Sequence, residues 1–124
     1  MSIGWNWPGL KGQHYKFSLW QIPVVLPQKS GVYIISRKVT GGFAPLYVGE
    51  AGDLFDRLNT GASAHEGLER ASRLGATHIG YLLAGPAERL RIETELRHSL
   101  NPPCNKQSVP VNALSLFDIA NFGK

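Results

Sequence analysis

The stretch from Gly31 to Gly49, GVYIISRKVTGGFAPLYVG, decides how this chain reads. Gly31-Val32-Tyr33-Ile34-Ile35-Ser36 is rich in β-branched and aromatic residues, as strands are. Gly41-Gly42 marks a turn, and Pro45-Leu46-Tyr47-Val48-Gly49 is a second run of strand type. Two close strands joined by a short glycine-containing loop predict an antiparallel hairpin. Tyr33 and Tyr47 then lie on neighbouring strands, where a tyrosine is ordinarily a core residue with a satisfied hydroxyl.

Downstream, Asp53 is a good N-cap, and Asp56 follows near the positive end of the helix dipole. Leu54 and Leu58, one turn apart, bury one side of a short helix. The polar, Gly-rich stretch 59–64 ends it. A second helix is expected from Glu66 to Leu74, stopped by Gly75. Ala76 to Ala84 reads as a third strand, with Ile79, Tyr81 and Leu83 on one face. Gly85-Pro86 opens the longest helix, which runs to about Leu100 and stops at Pro102-Pro103. The expected fold is α/β of the α+β type: a small central three-stranded antiparallel sheet flanked by helices, in the order β-β-α-α-β-α.

Upstream, residues 1–30 contain Pro8, Pro23 and Pro27 and hold no sustained period. They are expected to form an irregular arm packed on a core of residues 31–105, with 106–124 as a tail. That tail carries Leu114, Leu116, Phe117, Ile119 and Phe122, which either cap the core or meet a protein partner.

A chain of 124 residues fits one domain. Its one cysteine, Cys104, excludes an intrachain disulfide, and no Cys/His cluster has zinc-ligand spacing. Both facts fit a reducing cytosol, so a cytoplasmic location is expected. Apolar runs such as Ile22 to Leu26 are far too short to cross a bilayer, so no membrane partner is expected. No secretory signal is visible.

The net charge is +4, and its distribution says more than its sum. Lys11, Lys16, Lys29, Arg37 and Lys38 all precede the first acidic residue, Glu50. Trp5, Trp7, His14, Tyr15, Phe17 and Trp20 are interleaved with the first of them. Basic side chains neutralise phosphates and aromatic rings stack on bases, which makes these five cations candidate nucleic-acid contacts. The plainer alternative is that the aromatics anchor the arm and the lysines are solvated.

On the last helix, at about 100° per residue, Ile92, Leu96 and Leu100 form the apolar stripe. Glu93 lies at its edge, whereas Arg91 and Glu95 point away. A carboxylate at the rim of a core is desolvated unless it is paired or binds a metal. The plain alternative is an ion pair with Arg89 or Arg97, each one turn away. Arg57 is either a surface arginine or a guanidinium aimed at a phosphate. The junction Gly49-Glu50-Ala51-Gly52 lacks the G-x-G-x-x-G pattern and joins antiparallel elements, so a dinucleotide site is rejected. His65, His78 and His98 have no nearby Ser or Cys suited to nucleophilic catalysis.

Together these pieces resemble the GIY-YIG nuclease superfamily. Its name motifs correspond to Gly31-Val32-Tyr33 and Tyr47-Val48-Gly49, with thirteen residues between the tyrosines. Arg57 follows within DLFDRL, Glu93 within RIETEL, and Asn101-Pro102-Pro103-Cys104-Asn105 is similar to the family's Pro-x-x-Asn ending. The resemblance covers about Gly31 to Asn105. It implies hydrolysis of the DNA backbone, with RNA a less favoured substrate, and one Mg²⁺ or Mn²⁺ ion. Carried over, Glu93 is the sole protein metal ligand, with Glu50 a weak alternative. Tyr47 contacts the attacking water, Tyr33 supports its hydrogen-bond network, Arg57 stabilises transition-state charge, and Asn105 fixes the geometry. Many relatives carry a His or Tyr one turn after the arginine, where this chain has Gly61. His65, four residues further on, either takes that role as base or phosphate contact or is an exposed loop histidine. The expected function is a metal-dependent endonuclease. The alternative is a catalytically silent nucleic-acid-binding or protein-interaction module of the same fold.

Overall fold

The computed structural model describes residues 2–61 and 65–108. Its strands are β1 (Ile3–Pro8), β2 (His14–Gln21), β3 (Gly31–Val39), β4 (Gly42–Ala51) and β5 (His78–Leu83). Its helices are α1 (Leu54–Leu58), α2 (Glu66–Arg73) and α3 (Pro86–Leu100), followed by a 3₁₀ helix at Pro103–Ser108. The strands form one sheet in the order β1-β2-β5-β3-β4. Every neighbouring pair is antiparallel.

The three-stranded sheet in the order β-β-α-α-β-α is therefore corrected: the sheet has five strands, and four strands precede the first helix. The two additional strands come from the segment expected to be an irregular arm. A period of two is present there but short. Trp5 and Trp7 alternate on β1, and Tyr15, Phe17 and Leu19 alternate on β2. Trp7, Phe17 and Leu19 are buried. Pro8 is the last residue of β1, and Pro23 and Pro27 lie beyond β2, so none interrupts a ladder. Gly12, at φ 86°, closes the turn between the two strands.

β3 is buried on both faces. Val32 and Ile34 face one core, with Phe17, Leu19, Val48 and the α3 residues Ile92 and Leu96. Tyr33 and Ile35 face the other, with Leu46, Ile79, Leu54 of α1 and Ala71 of α2. Ile79, Tyr81 and Leu83 share one face as expected, opposite Ile35, Tyr33 and Gly31, and Leu83 is about half exposed at the strand end. Trp5 stacks edge-on against Phe43 at 5.0 Å, although β1 and β4 are the outermost strands. The sheet thus curls around the α3-side core until its two edges touch at one end.

Local sequence sets the helix ends. Asp53 caps α1 by accepting the Asp56 N–H at 2.9 Å. Gly75, at φ 84°, ends α2: its N–H reaches the Ser72 carbonyl and the Ala76 N–H reaches that of Ala71. Pro86 opens α3, and Asn101 ends it in the left-handed region. Among the described residues no helix is long and apolar enough to cross a membrane. Residues 109–124, which hold Leu114, Leu116, Phe117, Ile119 and Phe122, lie outside the described residues.

Candidate active site

β4 is an edge strand, and Tyr33, Tyr47, Arg57, His65, Glu93 and Asn105 are arranged around it. In the β3–β4 ladder Tyr33 lies opposite Gly49 and Ile35 opposite Tyr47, so the two tyrosines are diagonal neighbours on one face. Their ring centroids are 6.1 Å apart. The register steps at Ile35/Ser36, leaving Leu46 unmatched, and this bulge puts Leu46 and Tyr47 against the same core. Two glycines make room for the rings. A Cβ at Gly49 would come within 2.5 Å of the Tyr33 hydroxyl oxygen, and one at Gly67 of α2 would enter the Tyr47 ring.

His65 completes the cluster. It is the N-cap of α2, and its Nδ1 accepts the Leu68 N–H at 3.0 Å. Its Nε2 lies 2.6 Å from the Tyr33 hydroxyl. The ring packs edge-on against Tyr33 and Tyr47, with centroids at 5.8 and 5.3 Å. Burial, reinforced by the charges of Arg57 and Arg70, lowers its pKa from 6.5 to about 4. It is therefore neutral at pH 7. Of the two sequence alternatives for His65, the exposed loop histidine is corrected. Tyr33 is 1% exposed, and burial followed by the nearby Tyr47 pushes its pKa up. Burial also raises that of half-buried Tyr47.

The α1 and α2 helices bring arginines to these rings. Arg57 lies close enough to Tyr33 for its positive charge to oppose the rise in the Tyr33 pKa. It also lines a cleft of about 440 Å³ with His65, Gly61, Leu68 and Arg73. Arg57, Arg70 and Arg97 all act on Tyr47 as positive charges. Arg70 was not singled out from sequence. Its signal was Gly67 and Ala71, small residues one turn apart that mark a close helix–sheet approach with Arg70 at its margin.

Glu93 approaches from α3, on the other side of the β4 edge. Its side chain is 14% exposed, and Arg97 Nε lies 3.4 Å from its carboxylate. That Nε has no hydrogen-bond partner, so the contact is an attraction between charges without a well-aimed N–H. Among the described residues, the one hydrogen bond to the carboxylate is a long one, 3.4 Å, from the Thr94 hydroxyl. Burial raises the Glu93 pKa, Arg97 opposes the rise, and Glu50 adds to it. Arg89, the other partner considered, belongs instead to Glu50 at 2.6 Å and to the Ser30 hydroxyl at 2.9 Å.

Asn105 sits on the edge itself. Its carboxamide accepts the Val48 N–H at 2.8 Å and donates to the Val48 carbonyl at 2.9 Å. It thus supplies the pairing that an outermost strand lacks, at the residue between Tyr47 and Gly49.

Among the described residues, no group of three or more His, Cys, Asp or Glu could hold a metal ion. A site built on one carboxylate leaves the other positions to water and phosphate. Glu93 suits that role, being desolvated and loosely paired. Glu50, committed to Arg89, does not.

The five basic candidates do not collect here. Arg37 and Lys38 lie at the far end of β3, about 13 and about 17 Å along the strand from Tyr33 at the usual rise per residue. Lys11 lines a separate hollow with Arg91, Glu95 and His98, and Lys16 lies over Gly4. Lys29 precedes β3, and its carbonyl accepts the Leu54 N–H at 2.9 Å. Glu95 is also corrected. It does not face solvent but accepts the Tyr15 hydroxyl at 2.7 Å and the Leu10 N–H at 2.9 Å, tying the β1–β2 hairpin to α3. No protein-family model matches the chain, and no curated protein matches it.

Proposed function

We propose that the chain is a metal-dependent endonuclease of GIY-YIG type that hydrolyses DNA phosphodiester bonds around the β4 edge. The observation that carries this reading is the convergence of Tyr33, Tyr47, His65 and Arg57 on one side of an edge strand whose other side faces the loosely paired carboxylate of Glu93. The resemblance of the motifs around Tyr33, Tyr47, Arg57, Glu93 and Asn105 supports the same reading.

Each group has a defined capacity. Tyr47 is a phenol whose pKa burial raises further, so its hydroxyl can orient a water by hydrogen bonding. Arg57 places positive charge where the phosphate gains negative charge, and a preorganised donor there is worth several kcal/mol in many enzymes (about 2.7–4 per oxyanion donor). Glu93 would hold the single Mg²⁺ or Mn²⁺. When bound, such an ion supplies Lewis-acid polarisation of the phosphate and acidifies water. Asn105 keeps the strand that carries Tyr47 in register.

The test is nicking of supercoiled and branched DNA with and without Mg²⁺ or Mn²⁺, for the wild type and Glu93→Ala. The expected result is metal-dependent cutting that falls by roughly 100-fold or more in the variant, with little change in melting temperature. A large fall in melting temperature would make Glu93 a structural partner of Arg97. A folded wild type that binds DNA without cutting it would make the chain a binding module.

A further inference from the structure

We propose that His65 is a positioning residue: held as the Nε2–H tautomer by the first turn of α2, it fixes the Tyr33 hydroxyl beside Arg57 and takes no proton from an attacking water. The tautomer stands on geometry alone, and the catalytic consequence rests on the nuclease reading above.

A neutral imidazole has one donor nitrogen and one acceptor nitrogen. Nδ1 of His65 faces the backbone N–H of Leu68 at 3.0 Å, and a backbone N–H can only donate. Nδ1 is therefore the acceptor, and the proton resides on Nε2. The 2.6 Å contact then runs from His65 to Tyr33, with the phenol oxygen accepting. A base for water needs a free lone pair, and the one that this ring owns is committed to capping α2. Protonation at Nδ1 would break that cap.

Tyr33 is closed in as well. It is 1% exposed, and the backbone of Gly49 lies against its hydroxyl. Its oxygen thus serves as a fixed acceptor for His65, close enough to Arg57 to feel its positive charge. The chain of contacts runs from the Leu68 amide through the imidazole to the phenol oxygen. It ties the start of α2 to β3 beside Arg57. Positioning of this kind matters because small displacements of a catalytic group cost up to about 100-fold in rate.

The two jobs of the ring can be separated. His65→Asn keeps a short side-chain oxygen that caps α2 well but cannot reach Tyr33. His65→Gln carries an amide donor further out, near the place of Nε2, and gives up the cap. The first measurement is a long-range ¹⁵N–¹H spectrum of the wild type at pH 7. The Nε2–H pattern is expected for His65, and the Nδ1–H pattern would overturn the proposal whether or not the protein cuts DNA. The second is metal-dependent nicking at saturating DNA. His65→Asn is expected to keep its melting temperature and lose roughly 10- to 100-fold in kcat with little change in KM. His65→Gln is expected to recover about 10-fold of that loss despite a lower melting temperature. Equal losses in both variants would assign the ring a proton-transfer role and overturn the proposal, as would wild-type cutting by His65→Asn. A wild type that does not cut sinks the nuclease reading, while the spectrum still decides the tautomer.

Discussion

Val32 and Ile34 point towards α3, Tyr33 and Ile35 towards α1 and α2, and the neighbours they meet differ in kind. On the α3 side the contacts are almost all carbon: Phe17, Leu19, Val48, Ile92 and Leu96, closed over by Trp7. A fifteen-residue helix covers them. On the other side the covering helices have five and eight residues, and the core includes a buried phenol hydroxyl bonded to an imidazole. The apolar face needs only to exclude water, which stabilises the fold without directional demands. The polar face must satisfy each buried group it contains, and an unmet one costs on the order of 1–3 kcal/mol. The phenol–imidazole pair therefore sits on the face covered by the two short helices, held by a sheet whose other face is packed with apolar residues.

The largest effect is expected where that division is most one-sided. Phe17 is 1% exposed within the α3-side core and belongs to the β1–β2 hairpin. Phe17→Ala is expected to cost about 3–5 kcal/mol, read by chemical or thermal denaturation. A loss below about 1 kcal/mol would mean that the hairpin is dispensable to the core. The comparison would then rest on three strands, not five.

A smaller loss is expected at the seam between the faces. Asn105→Ala removes both bonds to Val48 and leaves a buried N–H and carbonyl on the edge of β4. The cost is about 1–3 kcal/mol, with faster hydrogen exchange at the Val48 amide. Unchanged exchange there would show that the strand edge holds its own register, and Asn105 would lose its structural role.

The sequence was legible where a local pattern suffices. β3 and β4 include the runs Gly31–Ser36 and Pro45–Gly49, and Asp53, Gly75 and Pro86 act at helix ends as their chemistry requires. The hairpin was missed because Pro8, Pro23 and Pro27 read as breakers, although all three sit at or beyond strand ends. The alternation between them covers few residues. Glu93 was legible at the rim of its helix, because the helical angle alone places it there. Glu95 was not, because that angle carries no information about a hairpin 80 to 85 residues upstream docking on the same helix. The five basic residues show the same limit: sequence gives the sign of a charge run but not which end of a strand it occupies. His65 stayed ambiguous because both of its hydrogen bonds depend on where the chain after α1 delivers the start of α2.

The smallest effect is the one that acidification places on the polar face. His65 is lowered from 6.5 to about 4 by burial first and then by Arg57 of α1 and Arg70 of α2, with Tyr33 of β3 and Tyr47 of β4 as its uncharged neighbours. Between those two pH values the unfolded chain binds a proton that the folded one refuses. Stability is thus fully present above about pH 6.5 and declines as the pH falls towards about 4. For a fully buried group such a shift would correspond to more than about 3 kcal/mol. The ring is only half buried, so screening reduces the expected loss to on the order of 1 kcal/mol. His78, also lowered by burial, adds a decline of the same sign, and Glu95, whose carboxylate is held below the usual range, adds one at more acidic pH. Both remain in His65→Asn, so the difference between wild type and variant isolates His65. Denaturation of the two proteins across pH 4 to 7 should give a wild type that loses more stability than the variant. Parallel curves would mean that the imidazole is no more reluctant to charge in the fold than in the unfolded chain, which the cap at Nδ1 does not allow.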